Sequence, residues 1–213
     1  MNEVCTRKRG ITLRERIEAL SNDSVLFRSD FPEYHSEFVG DTLATLTKEG
    51  VLVKLAQGIY AKPRLSRFGV VVPSVDKIVS AISARDRAEI LPSGETALNV
   101  LGLSNQVPMN YTYLTTGSER TINLGHIQII LIHGAPRNFS YETRLIALLV
   151  QALKAIGKEN VGEEEFQTIR SLVAQEPARE PLIKDVNVMP AWMKRLVKPM
   201  LEQKKAYEKV MDK

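Results

Sequence analysis

Residues 36–61, SEFVGDTLATLTKEGVLVKLAQGIYA, decide how the first part of the chain is read. Val39, Leu43 and Leu46 recur at the spacing of one helical face, so a helix is expected from Ser36 to Glu49, with Gly50 at its exit. Two short apolar β segments follow, Val51–Leu55 and Gly58–Ala61, joined through Ala56, Gln57 and Gly58. A helix feeding straight into a tight hairpin is the second half of a winged helix-turn-helix. In that fold the helix can enter the major groove while the hairpin touches phosphate or the minor groove.

The upstream residues supply the other half. Thr12 and Glu15 have the spacing of a capping box, and Ile17 and Leu20 give the first helix an inward face, ended by Asn22 and Asp23. A short apolar segment, Val25 to Phe27, precedes a brief second helix expected to be capped by Ser29 or Asp30 and to run through Phe31 and Tyr34. Residues 1–10 read as an arm whose Arg7, Lys8 and Arg9 can reach along DNA phosphates. On the third helix Asp41, Thr45 and Lys48 point outward, joined by Lys54 and Gln57 at the wing and by Lys62 and Arg64 after it. Lysine and arginine serve mainly phosphates, whereas Thr45 and Gln57 can reach base edges. Glu37 and Asp41 keep this helix from being strongly basic.

Pro63 to Pro73 marks the passage to a second domain, its apolar FGVVVP resembling a strand or covered connector more than a free tether. The expected organisation is α+β: a winged helix-turn-helix over residues 1–66, then a mixed α/β domain over 67–213 with a small sheet and packed helices. Ser74 caps a helix carrying Val75, Ile78, Val79 and Ile82. In LPSGETALNVLGLSNQVP, residues 91–108, Pro92 and Ser93 start another, with Ala97, Leu98 and Leu101 on its apolar face and Gly102 at its exit. YTYLTTG, RTINLG and HIQIILIHG read as three strands, though the wholly apolar IILI does not define which face is buried. A long helix is expected from Ser140 to Ile156, and another carrying Phe166, Ile169, Leu172 and Val173. Pro177 and Pro181 interrupt the next region, and Pro199 bends or divides a basic terminal helix.

Charge and composition narrow the function. The 213 residues carry 29 Lys and Arg against 25 Asp and Glu, an excess that eases contact with polyanions without specifying one. The single Cys5 excludes an internal disulfide and a cysteine metal cluster. No signal-peptide core and no membrane-spanning stretch is recognisable, so a cytoplasmic protein without a membrane partner is expected. His126 and His133 lack a carboxylate pair to complete a metal pattern. No phosphate loop, zinc signature or acid/base constellation is present, so no catalytic residue, metal or cofactor is expected. A pocket joining Ser93, Arg137 and a histidine would be the sign of an enzyme. Arg120, Arg137, Asn138 and Arg144 form a polar set in the second domain. Its arginines suit phosphate, RNA or an acidic protein surface, while Arg137 and Asn138 equally suit backbone groups at a strand–helix junction.

Taken together, LVKLAQGIYAKP, ILPSGETALNVLGLSNQVP, YLTTG, RTINLG and APRNF resemble the AbiEi-like transcriptional-regulator and antitoxin family, over most of residues 12–156. The resemblance implies a bacterial type IV toxin–antitoxin setting. Its winged domain would autorepress from operator DNA, and its C-terminal domain would neutralise a nucleotidyltransferase-like toxin. Carried to this chain, Thr45, Lys48, Lys54, Gln57 and Lys62 would contact double-stranded DNA, and Arg120, Arg137 and Asn138 would mark the second domain. A homodimer on DNA follows from twofold operator symmetry. The competing reading is a winged-helix interaction or assembly module without sequence-specific DNA binding.

Overall fold

The computed structural model describes the backbone of residues 12–211 and the side chains of residues 12–201. Two compact units run Met1–Ala81 and Ile82–Lys213.

In the first unit, helix α1 (Leu13–Glu18) opens with the expected capping box. Glu15 N–H donates to Thr12 Oγ1 at 3.2 Å, and Thr12 N–H donates back to the Glu15 carboxylate at 2.8 Å. Strand β1 (Val25–Phe27) follows, then helix α2 (Ser36–Lys48), β2 (Val53–Ala56) and β3 (Ile59–Ala61). The strands form an antiparallel sheet in the order β1-β3-β2. Leu13, Ile17, Leu26, Val39, Leu43 and Leu46 close the core beneath them. This order of helix, strand, helix and hairpin is winged-helix-like. Gly50, at φ +76°, turns the chain out of α2 into the wing, a conformation a side chain would strain.

The expected second helix is only one 3₁₀ turn, Arg28–Asp30. The Asp30 carboxylate accepts from Phe27 N–H at 2.9 Å and closes that turn. Pro32 then keeps Phe31 out of the helical region, at φ −124°, so nothing propagates toward Tyr34. The connector also differs from expectation. Residues 64–71 fold into an antiparallel hairpin, β4 (Arg64–Ser66) with β5 (Gly69–Val71), and most of it is exposed.

The second unit holds a four-stranded mixed sheet in the order β6-β7-β9-β8, from β6 (Ile90–Pro92), β7 (Asn110–Thr115), β8 (Arg120–Leu124) and β9 (Ile127–His133). Strands β7 and β9 are parallel, the other pairs antiparallel. In β9, Ile129 and Leu131 are buried while Ile132 is 43% exposed, which assigns the faces that IILI left open. Helix α3 (Val75–Asp86) contains the division between the units, and Ile78, Val79 and Ile82 are buried as its spacing predicts.

Pro92 ends strand β6 rather than starting a helix. Ser93 N–H donates to Thr112 O at 2.9 Å, its hydroxyl makes no cap, and α4 (Gly94–Val100) begins after it. Buried Thr96 accepts from Thr112 N–H at 2.8 Å and fixes α4 against β7. Helix α5 (Arg144–Ile156) starts later than expected because Asp185 caps it from outside. That carboxylate accepts from Glu142 N–H at 3.0 Å, Thr143 N–H at 2.7 Å and Thr143 Oγ1 at 2.6 Å, holding Thr143 extended. From Ile146 to Leu153 every residue of α5 is buried, so α5 is the centre of this unit, and Gln151 is the polar residue carried in with it.

Helices α6 (Glu163–Gln175), α7 (Arg179–Val188) and α8 (Ala191–Met211) complete the unit. Pro181 does not interrupt α7. It is the third residue of that helix, where a backbone N–H has no helical partner to lose. Nor does Pro199 divide α8, which continues through it.

Candidate nucleic-acid interface

Helix α2 places Asp41, Thr45 and Lys48 on its exposed side, because residues four and three apart share a face. Phe38 joins them, 54% exposed, and with Arg14, Asp41, Thr42 and Thr45 lines a cleft of about 330 Å³. Arg14 adds no free charge there. Its guanidinium forks onto Glu49 at 2.7 and 3.2 Å and reaches Glu18 at 2.8 Å, and these bonds raise its affinity for its proton still further.

The wing presents Lys54 on β2 and Gln57 in the turn before Gly58, both exposed. Lys62, one residue past β3, does not join them. Its ammonium donates to the carbonyls of Glu18 and, at 2.6 Å, Leu20, closing the end of α1. Arg64 is exposed at the start of the β4–β5 hairpin.

Sequence reasoning missed the tip of that hairpin. Ser66 Oγ accepts from Phe68 N–H at 3.2 Å and donates to Gly69 O at 3.0 Å, while Gly69 takes φ +114°. This well-tied turn leaves Phe68 86% exposed, with the Arg67 guanidinium 4.8 Å above its ring. Behind it Leu65 faces Val70 across the strands, 77% and 58% exposed. The available signal was Arg-Phe-Gly between two short β-prone runs. The continuous VVV argued for burial instead.

Charge pairing sorts the cations of this unit. Arg16 pairs with Glu33, Lys77 with Asp23 at 3.4 Å, and Arg28 donates to Ser36 O at 2.6 Å. Among the described residues Lys48, Lys54, Arg64 and Arg67 have no carboxylate partner. They follow one another along the end of α2, the wing and the hairpin. Cations free of carboxylates attract a polyanion without first breaking ion pairs. Arg7, Lys8 and Arg9 lie outside the described residues.

The polar set expected in the second unit does not assemble as one site. Arg120 reaches Asp86 at 2.5 Å, beside Arg85 at 2.7 Å. Burial pushes the Asp86 carboxyl up, but the two guanidinium groups outweigh it and hold the carboxyl below its ordinary range. Arg144 is exposed at the first position of α5. Arg137 and Asn138 do come together, in a 3₁₀ turn, Pro136–Asn138, beside Lys154, and line a cleft that includes neither Arg120 nor Arg144. Neither Ser93 nor a histidine lines it. His133 Nδ1 lies 3.5 Å from Gly117 O, and His126 is exposed in the turn before β9. Among the described residues no group of three or more histidine, cysteine or acidic side chains is placed to hold a metal ion. No helix among them is long and apolar enough to cross a membrane.

No curated protein matches the chain. Among solved structures it is similar to the crystal structure of the RV2827C protein from Mycobacterium tuberculosis. That likeness has 18% identity and a TM-score of 0.45, and covers 84% of this chain and 71% of the other. Residues 12–180 match the model of a family described as a family of unknown function, DUF6088, and the chain belongs to that family.

Proposed function

We propose that the chain is a DNA-binding transcriptional regulator that recognises its own operator and acts as the antitoxin of a type IV toxin–antitoxin pair. The observation that carries the DNA reading is the run of cations Lys48, Lys54, Arg64 and Arg67 on α2, the wing and the hairpin, which have no carboxylate partner among the described residues. In this reading Lys48 and the wing anchor phosphates, Thr45 and Gln57 face base edges, and the Phe68 tip lies against the apolar sugar walls of the minor groove. The antitoxin half rests on the sequence resemblance, with a nucleotidyltransferase-like toxin as the functional partner. The chain acts by binding, without catalysis of its own.

The test is fluorescence anisotropy with duplex fragments from upstream of the gene, titrated across salt. Binding should weaken with salt, and Lys48→Ala with Lys54→Ala should lower the salt slope by about 0.9 for each phosphate no longer neutralised. Absence of binding to every upstream fragment removes operator recognition.

One observation favours a second reading, a protein-interaction module. Glu37, Asp41 and half-exposed Phe38 give α2 an acidic, apolar surface better suited to a basic protein partner than to phosphate. Capture of such a partner through α2, with only weak and sequence-independent DNA binding, decides for it.

A further inference from the structure

In the second unit a cleft of about 390 Å³ opens beside the 3₁₀ turn Pro136–Asn138, α5 and the end of α7. Its polar wall is Arg137, Ser140, Tyr141 and Lys154, and Val188 and Pro190 give it an apolar side. Buried polar groups build this wall. The Asn138 Oδ1 atom accepts from Gln151 Nε2 at 3.2 Å and from Lys154 Nζ at 3.0 Å, and both amide side chains are buried, 8% and 3% exposed. Carrying two amides into an apolar interior costs free energy unless they are bonded, and here their bonds hold an ammonium group at the rim of the cleft.

That ammonium stands beside a second cation. Burial, and then the charge of Arg137, lower the proton affinity of Lys154, so the fold holds the pair together against repulsion. Among the described residues neither cation has a carboxylate partner. The neighbouring acids are committed elsewhere: Asp185 to its three donors at the start of α5, and Glu142 to Lys184 at 3.7 Å. Burial, with the Asp185 charge adding to it, raises the proton affinity of the Tyr141 phenol, whose hydroxyl is a donor at neutral pH as any tyrosine's is.

We propose that this cleft binds a phosphate monoester of sugar-phosphate or mononucleotide size. Its phosphoryl group lies between Arg137 and Lys154, on the side of the Tyr141 hydroxyl, and the rest of the ligand covers Val188 and Pro190. Two cations with the Tyr141 hydroxyl as a further donor match a dianion with three terminal oxygens better than a carboxylate with two, while the Ser140 hydroxyl stays donated to Arg137 O at 3.0 Å. The volume suits a small ligand, at the low end of the usual range. The site lies wholly within the second unit, so it stands or falls independently of DNA binding by the first.

The experiment is calorimetric titration of the full chain with ribose 5-phosphate, AMP and UMP, with adenosine and inorganic phosphate as references. At least one ester should bind, and bind at least tenfold more tightly than adenosine or phosphate. Arg137→Gln with Lys154→Gln should weaken it tenfold or more. Lys154→Gln gives up a bond to the buried Asn138 Oδ1, so the double variant should melt somewhat below the parent, whereas Arg137→Gln alone, at an exposed side chain, should melt with the parent and still weaken the ester several-fold. No heat from any ester, equal affinity of the variant, or phosphate or adenosine binding as tightly as the esters overturns the assignment.

Discussion

The exposed face of α2 and the β4–β5 hairpin belong to one compact unit and handle charge in opposite ways. On α2, Glu37 and Asp41 offset Lys48, and the adjoining Arg14 is fully committed to Glu18 and Glu49. On the hairpin, Arg64 and Arg67 have no carboxylate partner among the described residues, and the run RLSRFGVVV contains no acid. The helix can therefore attract phosphate only at its Lys48 end and is better suited to discriminate along Asp41 and Thr45, whereas the hairpin attracts any polyanion and discriminates little. Affinity and specificity should accordingly separate between the two elements.

Reversing the hairpin charges, Arg64→Glu with Arg67→Glu, should have the largest effect. At 0.1 M salt each phosphate deprived of its cation costs somewhat under tenfold, so removal and reversal together should weaken DNA binding by about 100-fold or more. The loss should be equal on upstream and scrambled duplexes, as anisotropy on both will show. A loss confined to the upstream sequence would break the division, because the hairpin would then be reading bases. Lys62→Met sharpens it from the other side. Leu20 O and Glu18 O would lose their donor, so urea unfolding should show about 1–2 kcal/mol less stability. The salt slope of binding should stay unchanged, and a flatter slope would return Lys62 to the interface.

What the sequence made legible divides along the same line between local and distant causes. The Thr12–Glu15 box, the α2 stripe of Val39, Leu43 and Leu46, and the Gly50 exit are signals within one or two turns of chain, and all three are present as read. The late start of α5 was not legible, because Asp185 caps it from more than forty residues away. Lys62 and Arg64 look alike in sequence, yet only the carbonyl ends of α1 separate their roles. Strand β6 was hidden because Ile90, Leu91 and Pro92 are strand residues only through their pairing with β7. The hairpin was hidden for a different reason: Leu65, Phe68 and Val70 are exposed, and a rule that buries apolar runs misplaces them. In the second unit Arg137 and Asn138 were legible as a pair, but Lys154 joins them only across the turn of α5 that Gln151 anchors.

Asp41→Asn gives the smallest effect and the finest discrimination. Removing one exposed negative charge from the face of α2 that carries Lys48 should strengthen DNA binding about two- to threefold at low salt, and less as salt screens it. An equal gain on every duplex means that α2 lies near the backbone and contributes only through its charge. A gain restricted to duplexes with adenine at one position means that the new amide reads a base edge, which places α2 in the major groove. No gain on any duplex means that this face of α2 looks away from DNA. Phe38 and Asp41 would then be left to a protein partner, while the wing and hairpin hold the nucleic acid by themselves.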